Sequence, residues 1–447
     1  MSRLFTESQK GINPMSDIFI YDEFSPEDIA MMQALYSRSG ASVTEHVEKV
    51  KAAGSGNFMQ RYYVNYGHAS IADCGSTTLF IENVSMLVAK AVQDWPLYSG
   101  QETSSRYINM SKRKIIDPVR TKESKAVLKA WMDFYTKKQP AVVAHLRVKY
   151  PRKSEEDEKV YNKAIEARTF DILRGFLPAG VTTQLSWHTN LRQAHDKLAL
   201  LKYYPLDEVR AVAKKMHAQL AEKYAHSFGH KEYSEQEAYR RFTSEQYTFF
   251  TEKEYAGDFQ ASTNIKRAEL NKQLRAHRGR SQKTNLPLFL GDLGNVTFEF
   301  LLDFGSFRDI HRHRNGVCRM PLLTTKFGFN EWYLDQLPAD VRKDAVALIK
   351  SQTAAIKKLK TSKENLQYYV GMGFNVTCKV TYGLPATVYT MELRSGRLVH
   401  PTLRKVALKM NAALKKMFPE LTLYADTSLD DWDIRRGAQD ITERKVK

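Results

Sequence analysis

Two separate stretches of the chain concentrate side chains that could bind an anionic ligand. Residues 94–107 read DWPLYSGQETSSRY, and residues 312–325 read RHRNGVCRMPLLTT. The first stretch offers hydroxyl, carboxylate and guanidinium groups, and the second opens with Arg-His-Arg. Because a guanidinium group holds a phosphate through two parallel hydrogen bonds, these groups suit a phosphate, a sugar or a base edge. Each stretch therefore predicts half of one binding site.

The two stretches together resemble the signature of the flavin-dependent thymidylate synthases, which is RHR, two residues, S, then x-N-E-x-S-x-R-Y. The first stretch matches from Ser99 onward, with Gln101 where asparagine is usual, but has Asp-Trp-Pro where RHR belongs. The second stretch matches RHR and nothing after it. One signature split between two places predicts a duplicated and diverged member of that family.

Further motifs of the family are divided between the two halves in the same way. The first half keeps R-x-x-L-P, with Arg174, and N-x-R, with Asn190 and Arg192. The second half lacks N-x-R but closes with ELRSGRLVHPTLR, which contains the leucine-arginine pair that the first half has lost. Because the losses are complementary, the resemblance implies one composite site per chain, with its counterpart inactive.

The resemblance also implies the roles of individual side chains. The residues expected to bind substrate are Glu102, Ser104, Arg106, Tyr107, Arg174, Arg312 and Arg394. Those expected to hold the flavin are Ser99, Asn190, Arg192, His313 and Arg314. No side chain is assigned as a catalytic nucleophile, since the family needs none. One departure stands out, because Asp309 replaces a usual glutamine and would repel a phosphate if it pointed inward.

By the same resemblance, the reaction would be the reductive methylation of dUMP. Methylenetetrahydrofolate would give the carbon, reduced FAD the hydride, and NADPH would recharge the flavin. Two alternatives stay open. One is a flavin- and folate-dependent modification of another pyrimidine nucleotide, and the other is a non-catalytic relative that binds nucleotides or nucleic acid.

The elements that must position these motifs follow from local patterns. Residues 77–82, TTLFIE, and residues 295–302, NVTFEFLL, are rich in β-branched and aromatic residues and predict strands. Each strand is followed by a stretch that leads into a signature half, and the first of these, VSMLVAKAVQ, predicts a helix. Ser25 and Pro26 predict the start of an earlier helix. We therefore expect an α+β fold, a tandem duplication in which strands are flanked by long helices, including helices near 122–145, 154–176 and 338–361.

The predicted organisation has three parts. Repeat one covers residues 1–235, a basic connector with the diverged start of repeat two covers 236–290, and repeat two covers 291–447. The connector contains KRAELNKQLRAHRGRSQK, and the whole chain carries a formal charge of +18 over 447 residues. Such a run is usually a solvated face, and a nucleic-acid-binding patch is the alternative. The charge indicates anionic partners without choosing among them.

Composition supplies the remaining expectations. Three cysteines without C-x-x-C spacing predict a reducing compartment, and hence a cytoplasmic protein. We expect no membrane partner, since no run of about 18 apolar residues occurs. His311 and His313 form an H-x-H pair without a third ligand at suitable spacing, so no metal site is predicted. The family resemblance implies a homodimer that mimics a tetramer.

Overall fold

The computed structural model describes residues 23–428 except residues 38, 40–41, 66–67, 248, 250–252, 254 and 256. Within this range the chain divides into two compact units. The first comprises residues up to Thr77, Asn190–His195 and His217–Lys231, and the second comprises Thr78–Thr189, Asp196–Met216 and residues from Glu232 onward. The start of predicted repeat one, residues 1–22, and the end of predicted repeat two, residues 429–447, lie outside the described residues.

The described chain begins with a series of helical segments. These are α1 Pro26–Tyr36, α2 Val43–Ala53, α3 Gly56–Phe58, a π-helical segment Met59–Asn65, and α4 Ala69–Ala72. The predicted start of α1 is confirmed, because the Ser25 hydroxyl accepts a hydrogen bond from the backbone N–H of Asp28 at 3.2 Å. Helices α1 and α2 share a small apolar core of Met31, Met32, Val47 and Val50.

The next segment contains the first strand-helix pair. Its elements are β1 Ser76–Ser85, α5 Met86–Gln93, α6 Lys122–Lys137, α7 Gln139–Lys149, α8 Glu158–Leu173, β2 Thr182–Asn190, α9 Leu191–Leu201, α10 Asp207–Lys223 and α11 Ser234–Tyr247. Strands β1 and β2 pair in a two-stranded sheet. The strand and helix predicted at 77–93 are confirmed, and the long helix expected near 122–145 is divided in two at Lys138.

The second half of the chain forms a four-stranded antiparallel sheet. Its elements are β3 Gln260–Thr263, α12 Arg267–Asn271, α13 Leu274–Arg278, β4 Asn295–Asp303, α14 Phe304–Ile310, β5 Gly316–Cys318, α15 Glu331–Asp335, α16 Ala339–Lys358, α17 Lys363–Leu366, β6 Asn375–Gly383, α18 Leu384–Ser395 and α19 Pro401–Met417. The strand order is β3-β4-β6-β5. Strand β4 pairs with β6 from Asn295 opposite Gly383 to Asp303 opposite Asn375.

Alternating burial explains why β4 forms where it does. Val296, Phe298, Phe300 and Leu302 are all buried, whereas the residues between them are only partly covered. This confirms the predicted half-buried strand, since side chains alternate between the two faces of a sheet. Helices α18 and α19 pack on each other and against β4, and so cover its apolar face.

The order of elements recurs in the two halves. In the first half, β1 and α5 precede a long helical region, and a 3₁₀ turn, β2, α9 and α10 follow it. In the second half, β4 and α14 precede the helical region, and a 3₁₀ turn, β6, α18 and α19 follow it. Helices mixed with antiparallel sheets agree with the expected α+β class. The two compact units group residues by their contacts and not by their position along the chain, so they do not test the predicted boundaries of the repeats and the connector. Those boundaries, at residues 235 and 290, stay a prediction. No helix in the described ranges is long and apolar enough to cross a bilayer.

Candidate functional site

The Arg-His-Arg triplet is positioned by the junction of β4 and α14. Asp303, the last residue of β4, is buried and caps α14, because its carboxylate accepts a hydrogen bond from the backbone N–H of Ser306 at 2.9 Å. Phe304, Phe307 and Ile310 bury the inner face of the helix. The chain therefore leaves α14 in a fixed direction, and the triplet follows directly after its end.

The triplet lines an open cleft of about 240 Å³. The cleft is lined by Pro96, Tyr98, Arg312, His313, Arg314, Asn315, Tyr382, Ala386, Tyr389 and Thr390. The guanidinium carbon of Arg314 lies 4.8 Å from the centre of the Tyr98 ring, and the Arg312 side chain is 51% exposed. Arginine groups beside tyrosine rings suit a ligand that has both negative charge and a flat ring.

Four predicted arginines, two from each half of the chain, lie around Asp309. An Arg312 terminal nitrogen is 3.5 Å from one carboxylate oxygen, and an Arg174 terminal nitrogen is 4.0 Å from the other. Arg394 donates a hydrogen bond to the backbone carbonyl of Asp309 at 2.6 Å. Burial would raise the pKa of Asp309, but Arg312, Arg174, Arg106 and Arg394 outweigh it and lower the pKa to about 2. The carboxylate is therefore ionised among the arginines.

Arg106 is held by a second acidic residue. It donates two hydrogen bonds to the Asp171 carboxylate, at 2.7 and 3.1 Å, and a third to the carbonyl of Leu398 at 3.3 Å. Burial raises the pKa of Asp171, although the charge of the bidentate Arg106 opposes the shift. Arg106 thus joins α8 to the loop after α18 inside one chain.

Arg174 is buried and joins the two halves through polar contacts. It donates a hydrogen bond to the Ser306 hydroxyl at 2.7 Å and lies 3.9 Å from an Asp303 carboxylate oxygen. Burial would lower the pKa of Arg174, but Tyr333, Asp303 and further aspartates hold it above the usual value. The guanidinium group is therefore charged and enclosed.

Glu102, expected to bind substrate, is enclosed by cations in this arrangement. Its carboxylate pairs with Arg308, accepts a hydrogen bond from Gln93 at 2.8 Å, and lies 4.0 Å from the Lys90 ammonium nitrogen. The Lys90 side chain is 0% exposed. Burial lowers the pKa of Lys90 to about 7, although Glu102 opposes the shift. The pair Arg308–Glu102 again links the two halves.

His313 and Arg394 form one hydrogen-bonded pair at the edge of the cleft. Arg394 donates through Nε to His313 Nε2 at 2.8 Å. Burial, with the charges of Arg394, Arg314 and Arg312, lowers the pKa of His313 to about 3. The imidazole is therefore neutral at physiological pH, and its Nε2 acts as an acceptor. Arg314 is fixed by a hydrogen bond of 3.0 Å to the carbonyl of Gln93.

The Asp-Trp-Pro segment lies beside the Arg-His-Arg triplet, and the inactive counterpart site inferred from its sequence stays a prediction. Asp94 binds His311, with 2.9 Å between Oδ1 and Nε2, and its carbonyl accepts a hydrogen bond from Lys197 at 2.7 Å. Pro96 lines the same cleft as the Arg-His-Arg triplet. The segment therefore completes the wall of the candidate site, because the two strand-helix pairs bring their helix ends together.

The remaining predicted residues occupy more ordinary positions. Ser99 is exposed, and its carbonyl accepts a hydrogen bond from the His188 N–H at 2.7 Å. The Ser104 hydroxyl accepts from the Arg106 N–H at 3.3 Å, and Tyr107 is exposed. Asn190 and Arg192 belong to the first compact unit, where Arg192 lies 2.7 Å from Asp73. The other predicted residues belong to the second unit, and the ligand roles of all twelve stay predictions.

Several residues of the site were missed by the sequence reasoning. They are Lys90, Tyr98, Asp171, Arg308, Tyr382 and Tyr389. A signal existed for Lys90, since it is the single charge in the apolar run VSMLVAKAVQ. The tyrosines of α18 and its preceding strand offered none. Within the described ranges, no three side chains among His, Cys, Asp and Glu are grouped as a metal would require.

Comparison with known proteins relates part of the chain to one family. Residues 21–224 match the family model described as thymidylate synthase complementing protein. The chain is also 25% identical to a UPF0159 protein of Chlamydia muridarum, over 81% of this chain and 79% of that protein. It is 24% identical to a UPF0159 protein of Chlamydia pneumoniae, over 82% and 80%, and 22% identical to one of Thermoplasma acidophilum, over 82% and 87%. Residues 21–224 of this chain, somewhat less than half of its length, are therefore similar to the family of thymidylate synthase complementing proteins.

Proposed function

We propose that the chain is an FAD-dependent, thymidylate synthase-like enzyme that reductively methylates dUMP or a related pyrimidine nucleotide. The family match suggests a thymidylate synthase-like function but does not name the substrate or the cofactor. The observation that supports the finer proposal is the meeting of both signature halves in one compact unit. Arg106 and Arg174 of the first half lie with Arg312 and Arg394 of the second around Asp309, beside one cleft.

The proposal includes a tandem duplication with one composite site per chain. The recurring order of strands and helices supports the duplication. The second half has Gly383, Leu384 and Pro385 where the family signature has N-x-R, so it offers no second set of flavin ligands. A homodimer of such chains would present the number of repeats found in a tetramer of single-repeat chains.

The cleft residues fit part of a flavin nucleotide. Arg312 and Arg314 would hold a phosphate, and Tyr98 and Tyr389 would flank a ring. A volume of about 240 Å³ accommodates one end of FAD rather than the whole cofactor, since pockets for drug-sized ligands measure roughly 300–1,000 Å³. When bound, the flavin supplies hydride transfer with methylenetetrahydrofolate and NADPH as co-substrates.

The chain's own contribution is positioning and charge. Arg394 fixes the ring of His313 by donating to Nε2, so the neutral imidazole keeps one orientation. Arg314 is fixed against Gln93 and the Tyr98 ring, and presents a permanent positive charge to the cleft. Such preorganised groups stabilise a bound anion without rearranging when it arrives.

A flavin titration tests this function. The purified protein should bind FAD at one per chain, and the bound flavin should bleach with NADPH and reoxidise on adding dUMP and methylenetetrahydrofolate. Arg312→Ala should lose FAD or dUMP binding, while Arg342→Ala, another exposed arginine paired with an aspartate, should retain both. A ratio near two would refute the composite site. Folded protein that binds no FAD would refute the enzyme and favour a non-catalytic relative.

A second candidate function, binding of nucleic acid, is favoured by one observation. Helix α19 contains four exposed lysines and no acidic residue, while its opposite face is buried. Arg267 of α12 pairs with Glu420, just beyond α19, so the basic connector lies beside the end of this helix. The exposed cations here are Lys266, Arg275, Arg278, Lys405, Lys409, Lys415 and Lys416. A phosphate backbone complements such a surface.

Salt dependence tests this second function. If about four phosphates are contacted, the affinity for a 20-nucleotide single strand should fall about 50-fold between 50 and 200 mM salt. Replacing Lys405, Lys409 and Lys416 by glutamine should weaken binding and reduce the salt slope. The same change at three exposed lysines of α16, Lys343, Lys350 and Lys357, is the matched control. Equal effects of the two triple variants would refute a specific surface.

A further inference from the structure

Arg394, in the last turn of α18, is held on two sides by the protein itself. Its Nε donates a hydrogen bond to His313 Nε2 at 2.8 Å, and a terminal nitrogen donates to the backbone carbonyl of Asp309 at 2.6 Å. The His313 ring also lies against the Tyr389 ring, with 5.9 Å between the two centroids and an angle of 64° between the planes. The imidazole is therefore fixed, with its Nε2 toward Arg394.

The direction of this hydrogen bond determines where the imidazole carries its proton. A guanidinium group has only donors, so the His313 Nε2 that receives the bond must offer a lone pair. Arg312 and Arg314, the neighbours of His313 in the chain, disfavour a second proton on the ring. A neutral imidazole without a proton on Nε2 carries it on Nδ1. With the proton on Nε2, two donors would face each other, so the Nδ1–H form should be favoured by roughly 10- to 100-fold.

The Nδ1–H group of His313 is left for a ligand. The residue lines the cleft of about 240 Å³, together with Tyr98 and Tyr389. Its backbone carbonyl accepts a hydrogen bond from the Tyr382 hydroxyl at 3.3 Å, but no group among the described residues accepts one from Nδ1. A donor in this position forms a hydrogen bond only with a ligand atom that has a lone pair.

We propose that Arg394 is a positioning residue, which acts through His313 by holding it in the Nδ1–H tautomer, so that the cleft presents a fixed hydrogen-bond donor to its ligand. The group recognised there is an acceptor at the edge of a flat ring, such as a carbonyl oxygen or an unprotonated nitrogen, since Tyr98 and Tyr389 would flank such a ring. A ring edge that presents N–H is disfavoured, because two donors would meet. The ring ligand rests on the proposed function, which places a flavin or a pyrimidine nucleotide in the cleft.

Nitrogen-15 NMR of the full chain, labelled at histidine, tests the tautomer without any ligand. The chemical shift distinguishes a protonated ring nitrogen from an unprotonated one, and the His313 signals are those lost in His313→Asn. In wild-type protein at pH 7, Nδ1 of His313 should carry the proton. In Arg394→Met both tautomers should be populated, and the pKa of His313 should rise because a nearby positive charge is removed. Arg397→Met, which removes an arginine 3.5 Å from Asp426, is the matched control and should change neither.

Titration with FAD and, separately, with dUMP tests the donor. His313→Asn keeps an amide at the position of Nδ1, whereas His313→Leu has a similar shape without a hydrogen-bonding group. The ligand that contacts His313 should bind His313→Leu about 2- to 10-fold more weakly than His313→Asn. Because an amide can donate or accept, this difference shows that a hydrogen bond is made at this position, and the tautomer shows that His313 donates it.

Four results would overturn the inference. They are a proton on Nε2 of His313 in wild-type protein, a folded Arg394→Met that keeps the wild-type tautomer, an equal change in Arg397→Met, and equal affinities of His313→Asn and His313→Leu for every ligand that binds. The first result needs no variant, so the inference can fail even if Arg394→Met does not fold. Protein that binds neither FAD nor dUMP would refute the proposed function and the ring ligand with it, and would leave the tautomer result standing.

Discussion

Replacing Glu102 by glutamine tests the buried ion network that joins the two halves of the chain. The substitution keeps the shape of the side chain and removes only its charge. In the native protein the carboxylate is 3% exposed and is shared by Arg308 and Lys90. After the change, Arg308 keeps a positive charge in a buried place without its acidic partner. We expect a large loss of stability, because an uncompensated buried charge is strongly unfavourable.

The magnitude follows from the two cations separately. Removing one partner of a buried ion pair destabilises a protein by about 3–5 kcal/mol. Lys90 limits its share of this loss, since its pKa of about 7 lets it release a proton at mildly alkaline pH. Arg308 cannot do so, because a guanidinium group stays protonated. We therefore expect a loss of about 3 kcal/mol at pH 8, which corresponds to a fall in Tm of about 3 °C if the 447 residues unfold together.

The assay is urea and thermal unfolding at pH 8, followed by circular dichroism. The matched control is Asp133→Asn, because Asp133 is also shared by two cations, Lys129 at 2.6 Å and Lys137 at 3.1 Å, but is 37% exposed. Pairs at the surface contribute about 0–1 kcal/mol, so the control should lose little. If Glu102→Gln lost no more stability than Asp133→Asn, the reasoning about burial would be wrong.

Two further predictions concern the same region. Burial lowers the pKa of Lys90 from its usual value to about 7, so above pH 7 the unfolded chain binds more protons than the native protein, and stability rises with pH up to about 10. Lys90→Met should reduce this rise by up to about 1.4 kcal/mol per pH unit, measured by urea unfolding at pH 7, 8 and 9. A variant with the same pH dependence as wild type would contradict the prediction. Gly100→Ala should destabilise the protein in thermal unfolding, because its Cβ would lie 2.0 Å from the Ser186 carbonyl oxygen. Gly291→Ala, whose Cβ has no atom closer than 4.0 Å, should be tolerated, and equal losses would refute the steric reason.

The sequence by itself determined the elements that carry the site. Alternating apolar residues predicted β4, and the Ser25-Pro26 pair predicted the start of α1, because both patterns report local geometry and burial. The signature halves predicted the family, which the match of residues 21–224 confirmed. The division of the signature between two stretches also predicted which side chains of each half would contribute to one composite site.

Only the tertiary structure decided what those side chains contact. Arg106 with Asp171, Arg308 with Glu102, and Arg174 with Ser306 join residues far apart in the chain, and no local pattern encodes such pairs. The position of Pro96 on the wall of the cleft likewise depends on how two helix ends pack. Periodicity reports which face of an element is buried, whereas the partner of a buried charge is chosen by whichever opposite charge the packing brings within a few ångströms.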